Sequence, residues 1–125
     1  MRIAALVLIA VISLLHFYIA WFEMFAWESR GPKVFASFPP ELFAQTVQMA
    51  ANQGIYNAFL AAGLAWALLI KDASWQVKVA TCFLIFVAVA GGVGAVTVTA
   101  KTLVIQTIPA LIALALLRYS RSSES

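Results

Sequence analysis

The sequence predicts an all-α integral membrane protein, a four-transmembrane-helix bundle that forms a single domain over residues 1–125. Hydrophobic residues make up 64% of the 125 residues, charged residues only 10%, and the mean hydropathy is +0.97. This composition is typical of a chain that is solvated by lipid. Four apolar runs approach the ~20 residues that a helix needs to cross the hydrocarbon core, and we place them at residues 3–25, 42–70, 77–100 and 102–118.

The first apolar run begins as a secretory signal peptide would, with Arg2 ahead of hydrophobic residues. It then continues through Trp21 and Phe22 without a small-residue cleavage pattern, and it is too long for the apolar region of an ordinary signal peptide. We therefore interpret it as the first membrane helix.

The connection over residues 27–38 is predicted to be a loop. It contains Gly31 and Pro32 and leads into Pro39 and Pro40, which continue a helix poorly, while Glu41 has the charge that a first helical turn favours. The second connection, residues 71–76, is a polar turn, and the third must be tight.

The distribution of Lys and Arg favours a topology with both termini in the cytoplasm. Five of the eight basic residues fall on the side of the termini and three on the opposite side, which is a modest positive-inside bias. The five are Arg2, Lys71, Lys78, Arg118 and Arg121, and the three are Arg30, Lys33 and Lys101. The expected partner of such a chain is the lipid bilayer.

Two ionisable residues lie in the first helix. His16 and Glu23 are seven residues apart, so they share one face at a separation of ~10 Å along the axis. An ionisable group inside a membrane span is by default a candidate functional residue. The alternative is structural, with a neutral His16 hydrogen-bonded to an Asn or Gln.

The second helix carries a broad polar sector. Counting ~1.5 Å per residue from the outer surface places Gln45 and Gln48 near the depth of Glu23 and Asn52 near the depth of His16. The residues on one side are Gln45, Gln48, Asn52 and Tyr56, with Gln53 and Asn57 on the flank. We expect Gln48 and Asn52 to face the interior.

The last helix adds a further amide, Gln106, with Thr102 and Pro109 on the same face. Three helices are therefore expected to bring polar residues together in the outer half of the bilayer. Two interpretations stay open: a ladder of amide hydrogen bonds that holds helices together, or a polar pocket that binds a ligand. In the third helix, Gly91 and Gly92 belong to a small-residue face that predicts close packing.

Several classes of function are disfavoured. The basic residues are scattered singly, so nucleic-acid binding is not expected. The usual nucleophile, phosphate-loop and zinc motifs do not occur in the sequence, and we predict neither a metal site nor a cofactor. Cys82 is the only cysteine, and its neighbours suggest a small packing residue.

The segment Asn52-Gln53-Gly54-Ile55-Tyr56-Asn57, together with His16 and Glu23 before it and Gln106 and Pro109 after it, resembles a bacterial membrane family called domain of unknown function 1304. The resemblance spans most of the chain. It implies a small four-helix inner-membrane protein and brings no activity with it.

Three functions are compatible with these residues. The first is binding or transport of a small polar or amphiphilic solute, with protonation of His16 or Glu23 coupled to binding. By analogy with small multidrug-resistance transporters, whose sequence motifs do not match, this function implies a homodimer. The second is an isomerase-like enzyme acting on a lipophilic substrate. In this enzyme His16 is the acid or base, Glu23 is its partner charge, and Asn52, Gln53 or Asn57 stabilises an oxyanion. The third is an accessory subunit whose polar face binds another membrane protein.

Overall fold

The computed structural model describes residues 1–124, and side chains are described for residues 1–120. The chain is helical, as the sequence predicts, and no strand occurs within the described range. In chain order the elements are α1 (Arg2–Phe25), α2 (Trp27–Val34), α3 (Glu41–Gln45), α4 (Val47–Leu69), α5 (Ala73–Thr97), a π turn (Leu103–Thr107) and α6 (Ile108–Glu124).

Three segments are long and apolar enough to cross a membrane: α1, α5 and the stretch Leu103–Ser120. The fourth long helix, α4, has 23 residues, but its amide side chains lower its hydropathy. The described part of the chain therefore has three candidate membrane-spanning helices, and crossing by α4 stays a prediction.

The predicted loop over residues 27–38 is largely helical, so that prediction is wrong for residues 27–34. Glu28 in the first turn of α2 and Lys33 in the last turn complement the helix dipole. Pro32 removes only one backbone donor from this short helix. A Cβ atom at Gly31 would lie 2.3 Å from the Phe43 ring, so a glycine is needed where that ring packs.

The predicted helix over residues 42–70 is interrupted at Thr46, which has φ −117° and ψ 15°. The Thr46 hydroxyl donates to the Leu42 carbonyl at 2.8 Å and accepts the indole N–H of Trp27 at 2.9 Å. The break therefore depends on a contact with α2, which no local pattern in the sequence reveals.

The long helices pack in a closed order. α1 lies along α4 and also contacts α6, while α5 contacts α4, the π turn and α6. The apolar core fills the half nearer the N-terminus, where Ile9 and Ile12 meet Leu64, Leu84 and other buried residues. The opposite end is covered by an aromatic cluster of Phe22, Trp27, Phe35, Phe38 and Phe43. Polar side chains lie between these two regions.

Candidate functional site

His16 lies in α1 and is completely buried. Its Nδ1 atom is 2.8 Å from the Ile12 carbonyl oxygen, and its Nε2 atom is 3.1 Å from the amide nitrogen of Gln106. A carbonyl oxygen can only accept, so Nδ1 carries the proton and Nε2 keeps its lone pair. The Gln106 amide then donates to Nε2, and the partners together define one tautomer of a neutral imidazole.

The π turn brings Gln106 to His16. Pro109 has no N–H to give to the carbonyl of Ile105 and its ring crowds that carbonyl, which explains a wider turn just before it. The backbone N–H of Ile108 instead bonds to the Leu103 carbonyl, five residues back. Such π turns are frequent at functional sites.

The π turn is held against α5 by a close contact. The Thr107 hydroxyl donates to the Ala88 carbonyl at 2.8 Å, and the Thr102 hydroxyl donates to the Gly91 carbonyl at 2.7 Å. A Cβ atom at Gly91 would lie 2.2 Å from the Thr107 hydroxyl oxygen, whereas one at Gly92 would meet nothing within 4 Å. The predicted packing role therefore holds for Gly91 and not for Gly92.

Glu23 of α1 also bonds to a side-chain amide of another helix. Its Oε1 atom accepts a hydrogen bond of 2.5 Å from the side-chain amide of Asn57, which is itself buried. Glu23 is half-buried. A Cβ atom at Gly54 would lie 3.1 Å from the Ala20 carbonyl oxygen and 3.2 Å from the Glu23 Cβ atom, so the glycine allows α4 to approach α1 closely.

The two contacts form one arrangement that spans three elements. His16 and Glu23 lie on the same face of α1, separated by ~10 Å along its axis, and each is held by an amide from a different element. In the described part of the chain every buried side-chain nitrogen or oxygen has a hydrogen-bond partner. His, Cys, Asp and Glu do not gather there in groups of three that could hold a metal ion.

The other predicted site residues lie elsewhere. Gln45, Gln48, Asn52, Gln53 and Tyr56 are all exposed on the surface. The expectation that Gln48 and Asn52 face the interior is therefore wrong.

The error comes from the register between α1 and α4. The depth count treated residues 42–70 as one helix that enters the bundle directly, but the chain first forms α3 and turns at Thr46. As a result, Asn57 rather than Gln48 lies beside Glu23, and Ala61 lies beside Ser13.

A pattern of small residues marks the true buried face of α4. The small residues Ala50, Gly54, Ala61 and Ala67 are buried, and Asn57 and Leu64 lie between them at helical spacing. Small size was therefore a better signal than polarity. The sequence reasoning also missed two hydroxyl groups. Ser13 donates to the Ala61 carbonyl at 2.8 Å, three residues from His16 on the same face, and Thr107 bonds to α5 as described above.

The family model described as "Protein of unknown function (DUF1304)" matches residues 10–118. This range contains His16, Glu23 and the two amides bonded to them, and the whole of α4 and α5. The chain belongs to this family. One relative is "Uncharacterized protein YpaA" of Lactococcus lactis subsp. lactis (strain IL1403), which is 32% identical over 116 residues. The match covers 91% of this chain and 96% of the relative. No solved structure matches the chain.

Proposed function

We propose that this member of the DUF1304 family is a four-helix protein of the bacterial inner membrane, with both termini in the cytoplasm. Three segments have the required length and hydropathy, and α4 packs between α1 and α5 with 23 residues, a length of ~35 Å that matches a bilayer core. The excess of Lys and Arg on the side of the termini supports the orientation.

We further propose that the arrangement of His16, Gln106, Glu23 and Asn57 is a binding site for a small polar or amphiphilic solute, coupled to protonation. The observation that carries this proposal is that His16 and Glu23 lie on one face of α1 against other helices, each held by one amide from another element. Helix packing alone would be served by uncharged amides, whereas ionisable groups are expensive within a membrane and are kept where they function.

Protonation offers a way to change the packing. In the neutral tautomer, Nε2 of His16 accepts from Gln106. A protonated imidazole donates from both nitrogens, so the Gln106 amide must turn and present its oxygen. The same amide is then oriented differently toward any solute that hydrogen-bonds to it. Because Gln106 belongs to the π turn, a proton on His16 changes the contact between α1 and the segment leading into α6.

Glu23 supplies the second titratable position. It lies closer to the aromatic end of the molecule, seven residues beyond His16, and is half-buried rather than enclosed. A solute with a hydrogen-bond donor or a positive charge can replace Asn57 at the carboxylate. Binding at Glu23 and protonation at His16 are then linked through α1, which is the coupling that proton-driven binding or transport requires.

Native mass spectrometry of the protein released from lipid nanodiscs tests the binding proposal. We expect a small-molecule adduct on the wild-type protein that is lost in His16→Ala and Glu23→Gln and retained in Gln53→Ala, which changes an exposed amide of α4. The absence of any non-lipid adduct on the wild type, or equal occupancy in all four proteins, would overturn the proposal.

Nuclear magnetic resonance tests the proton step without knowledge of the solute. His16 is the only histidine, so 15N-histidine labelling gives one pair of ring signals. We expect them to change from a neutral to a charged imidazole as the pH is lowered within the range in which the protein stays folded, with a simultaneous shift of the Gln106 side-chain amide. An imidazole that stays neutral throughout this range contradicts proton coupling at His16.

An intramembrane acid–base enzyme is the second candidate. The fixed tautomer favours it, because Nδ1 is held by Ile12 and Nε2 is left as a base. A lipophilic substrate would have to displace Gln106 to reach that lone pair. Conversion of an adduct to an isomer by the wild type and not by His16→Ala would select this function over transport.

A further inference from the structure

The outward face of α4 carries a regular seam of exposed residues. Its residues are exposed and recur at intervals of four, three, four, three and four positions: Gln48, Asn52, Ile55, Phe59, Ala62 and Trp66. This spacing is the heptad pattern of helices that pack in pairs with a left-handed crossing.

The seam differs from the other exposed helix faces. The exposed strip of α1 runs through Ile3, Val7, Val11 and Leu14, and that of α5 runs through Ile85, Val89, Val93 and Val96. These strips are apolar, as lipid contact requires. On α4, by contrast, two amides begin the seam.

The amides lie toward the outer end of the bundle. Gly54 packs against Ala20 and Met24, so Asn52 is at the depth of the last turn of α1, and the apolar part of the seam extends inward from it. When two helices pack along such a seam, the polar residues at one end set the register between the helices, and the apolar residues supply the contact area.

We infer that a second copy of this chain packs on the seam, α4 against α4, about a two-fold axis along the membrane normal. This inference rests on the proposal above that α4 crosses the membrane. Two copies with the same topology run parallel, so each seam residue meets its own counterpart at the same depth. An amide has both donors and an acceptor and therefore pairs with itself, whereas like charges would repel, and the seam contains no charged residue.

The dimer leaves the candidate site intact. Asn57 and Gly54 lie on the opposite, buried face of α4, against α1. Each protomer therefore keeps its own His16 and Glu23 contacts, and the two proposals can fail separately.

Cysteine cross-linking in proteoliposomes of the purified protein tests the interface, because this chain is then the only protein present. In a Cys82→Ser background we expect Ala62→Cys, and separately Phe59→Cys, to give mostly covalent dimer on oxidation. The wild-type protein is the matched control, since its Cys82 is exposed on α5, and it should give little dimer under the same conditions.

The yield of covalent dimer from the α4 cysteines should stay the same when the lipid-to-protein ratio of the proteoliposomes is raised. In the Ala62→Cys protein, Asn52→Leu should lower the dimerisation constant about threefold or more, as expected for the loss of an amide pair within a membrane, and Gln48→Leu should act in the same direction. Monomer for both α4 cysteines, or equal cross-linking through Cys82, would overturn the inference.

His16→Ala and Glu23→Gln should leave cross-linking unchanged. If these variants lose solute binding and still form the dimer, both proposals stand. If the wild type binds no solute and the α4 cysteines still cross-link, the binding proposal alone fails.

Discussion

At the scale of single residues, the site is defined by which atom carries a proton. The Ile12 carbonyl holds the proton of His16 on Nδ1, and Gln106 then has only one amide orientation that satisfies Nε2. Asn57 fixes one oxygen of Glu23 in the same way. In a low-dielectric interior, removing one partner of such a pair is costly, because the other partner stays buried without a hydrogen bond.

Replacement of Gln106 by Leu should therefore leave Nε2 of His16 without a donor. We expect the 15N signal of Nε2 to move from its wild-type position toward that of an imidazole nitrogen that accepts no hydrogen bond. The Nδ1 signal should change little, because Nδ1 keeps its bond to Ile12. A Gln106→Leu protein whose two ring signals match those of the wild type would show that the contact is absent in the membrane.

Replacement of Asn57 by Ala should lower stability, since Glu23 loses its amide donor in a partly buried position. We expect a loss of about 1 to 2 kcal/mol in the free energy of unfolding, measured by denaturation in detergent. Gln53→Ala, one turn away and exposed, is the control and should change the value by less than about 0.5 kcal/mol. An equal loss in both variants would contradict a specific role for the Asn57 contact.

At the scale of elements, the position of the π turn is the feature on which the site depends. Pro109 determines that the turn is wide, and Gly91 determines how closely the turn can approach α5. Neither residue forms a hydrogen bond to His16. Both act by setting the place from which Gln106 reaches the imidazole.

The pair Gly91→Ala and Gly92→Ala isolates this packing effect, because the same atom is added at adjacent positions of one helix. At Gly91 the new Cβ would lie 2.2 Å from the Thr107 hydroxyl and 2.8 Å from its backbone nitrogen, so we expect a loss of about 1 to 3 kcal/mol and a shifted His16 signal. At Gly92 the space is open, and replacement of a helical glycine should stabilise by about 0.5 to 1 kcal/mol. Similar effects at both positions in thermal unfolding and NMR would rule out the proposed packing.

Pro109→Ala tests the origin of the π turn. The restored N–H can bond to the Ile105 carbonyl and extend α6 as a regular helix toward its N-terminus. Gln106 would then rotate relative to α1, and we expect the Nε2 signal of His16 to change as it does in Gln106→Leu. A wild-type signal in this variant would mean that tertiary contacts with α5, rather than the proline, hold the turn.

At the scale of the whole molecule, the chain separates an apolar half from a polar one. Ile9, Ile12 and Leu64 pack near the side of the termini, while His16 and Glu23 lie toward the aromatic cluster. The proposed site therefore lies nearer the aromatic end than the end that holds the termini. The aromatic end contains α2 and α3, and Trp27 of that region packs against Phe22 with ring centroids 5.5 Å apart.

The proposed topology predicts that reporters on opposite connections report opposite sides. A tag after Ser125 should be cytoplasmic, and one inserted within residues 35–39 should be outside. The two tags differ because three proposed crossings, by α4, α5 and the last helix, lie between them. Alkaline phosphatase and green fluorescent protein fusions measure this directly. The same side for both tags would mean that the number of crossings before the C-terminus is wrong.

The sequence by itself determined the helical class and the ionisable face of α1. Lipid-compatible composition and long apolar runs are local properties, and the seven-residue separation of His16 and Glu23 fixes their common face without knowledge of any partner. The involvement of Gln106 could also be anticipated, since it is the only Asn or Gln in the predicted last helix, residues 102–118.

Only the tertiary structure decided which amide of α4 meets α1. The register of two antiparallel helices depends on the connection between them, and here α2 and the Trp27 contact at Thr46 shifted that register by about two turns. The close approach at Gly54 then selected Asn57 and left Gln48 and Asn52 on the surface. Polarity alone does not show which way a side chain faces, because an amide serves equally well inside a helix bundle and between two copies of it.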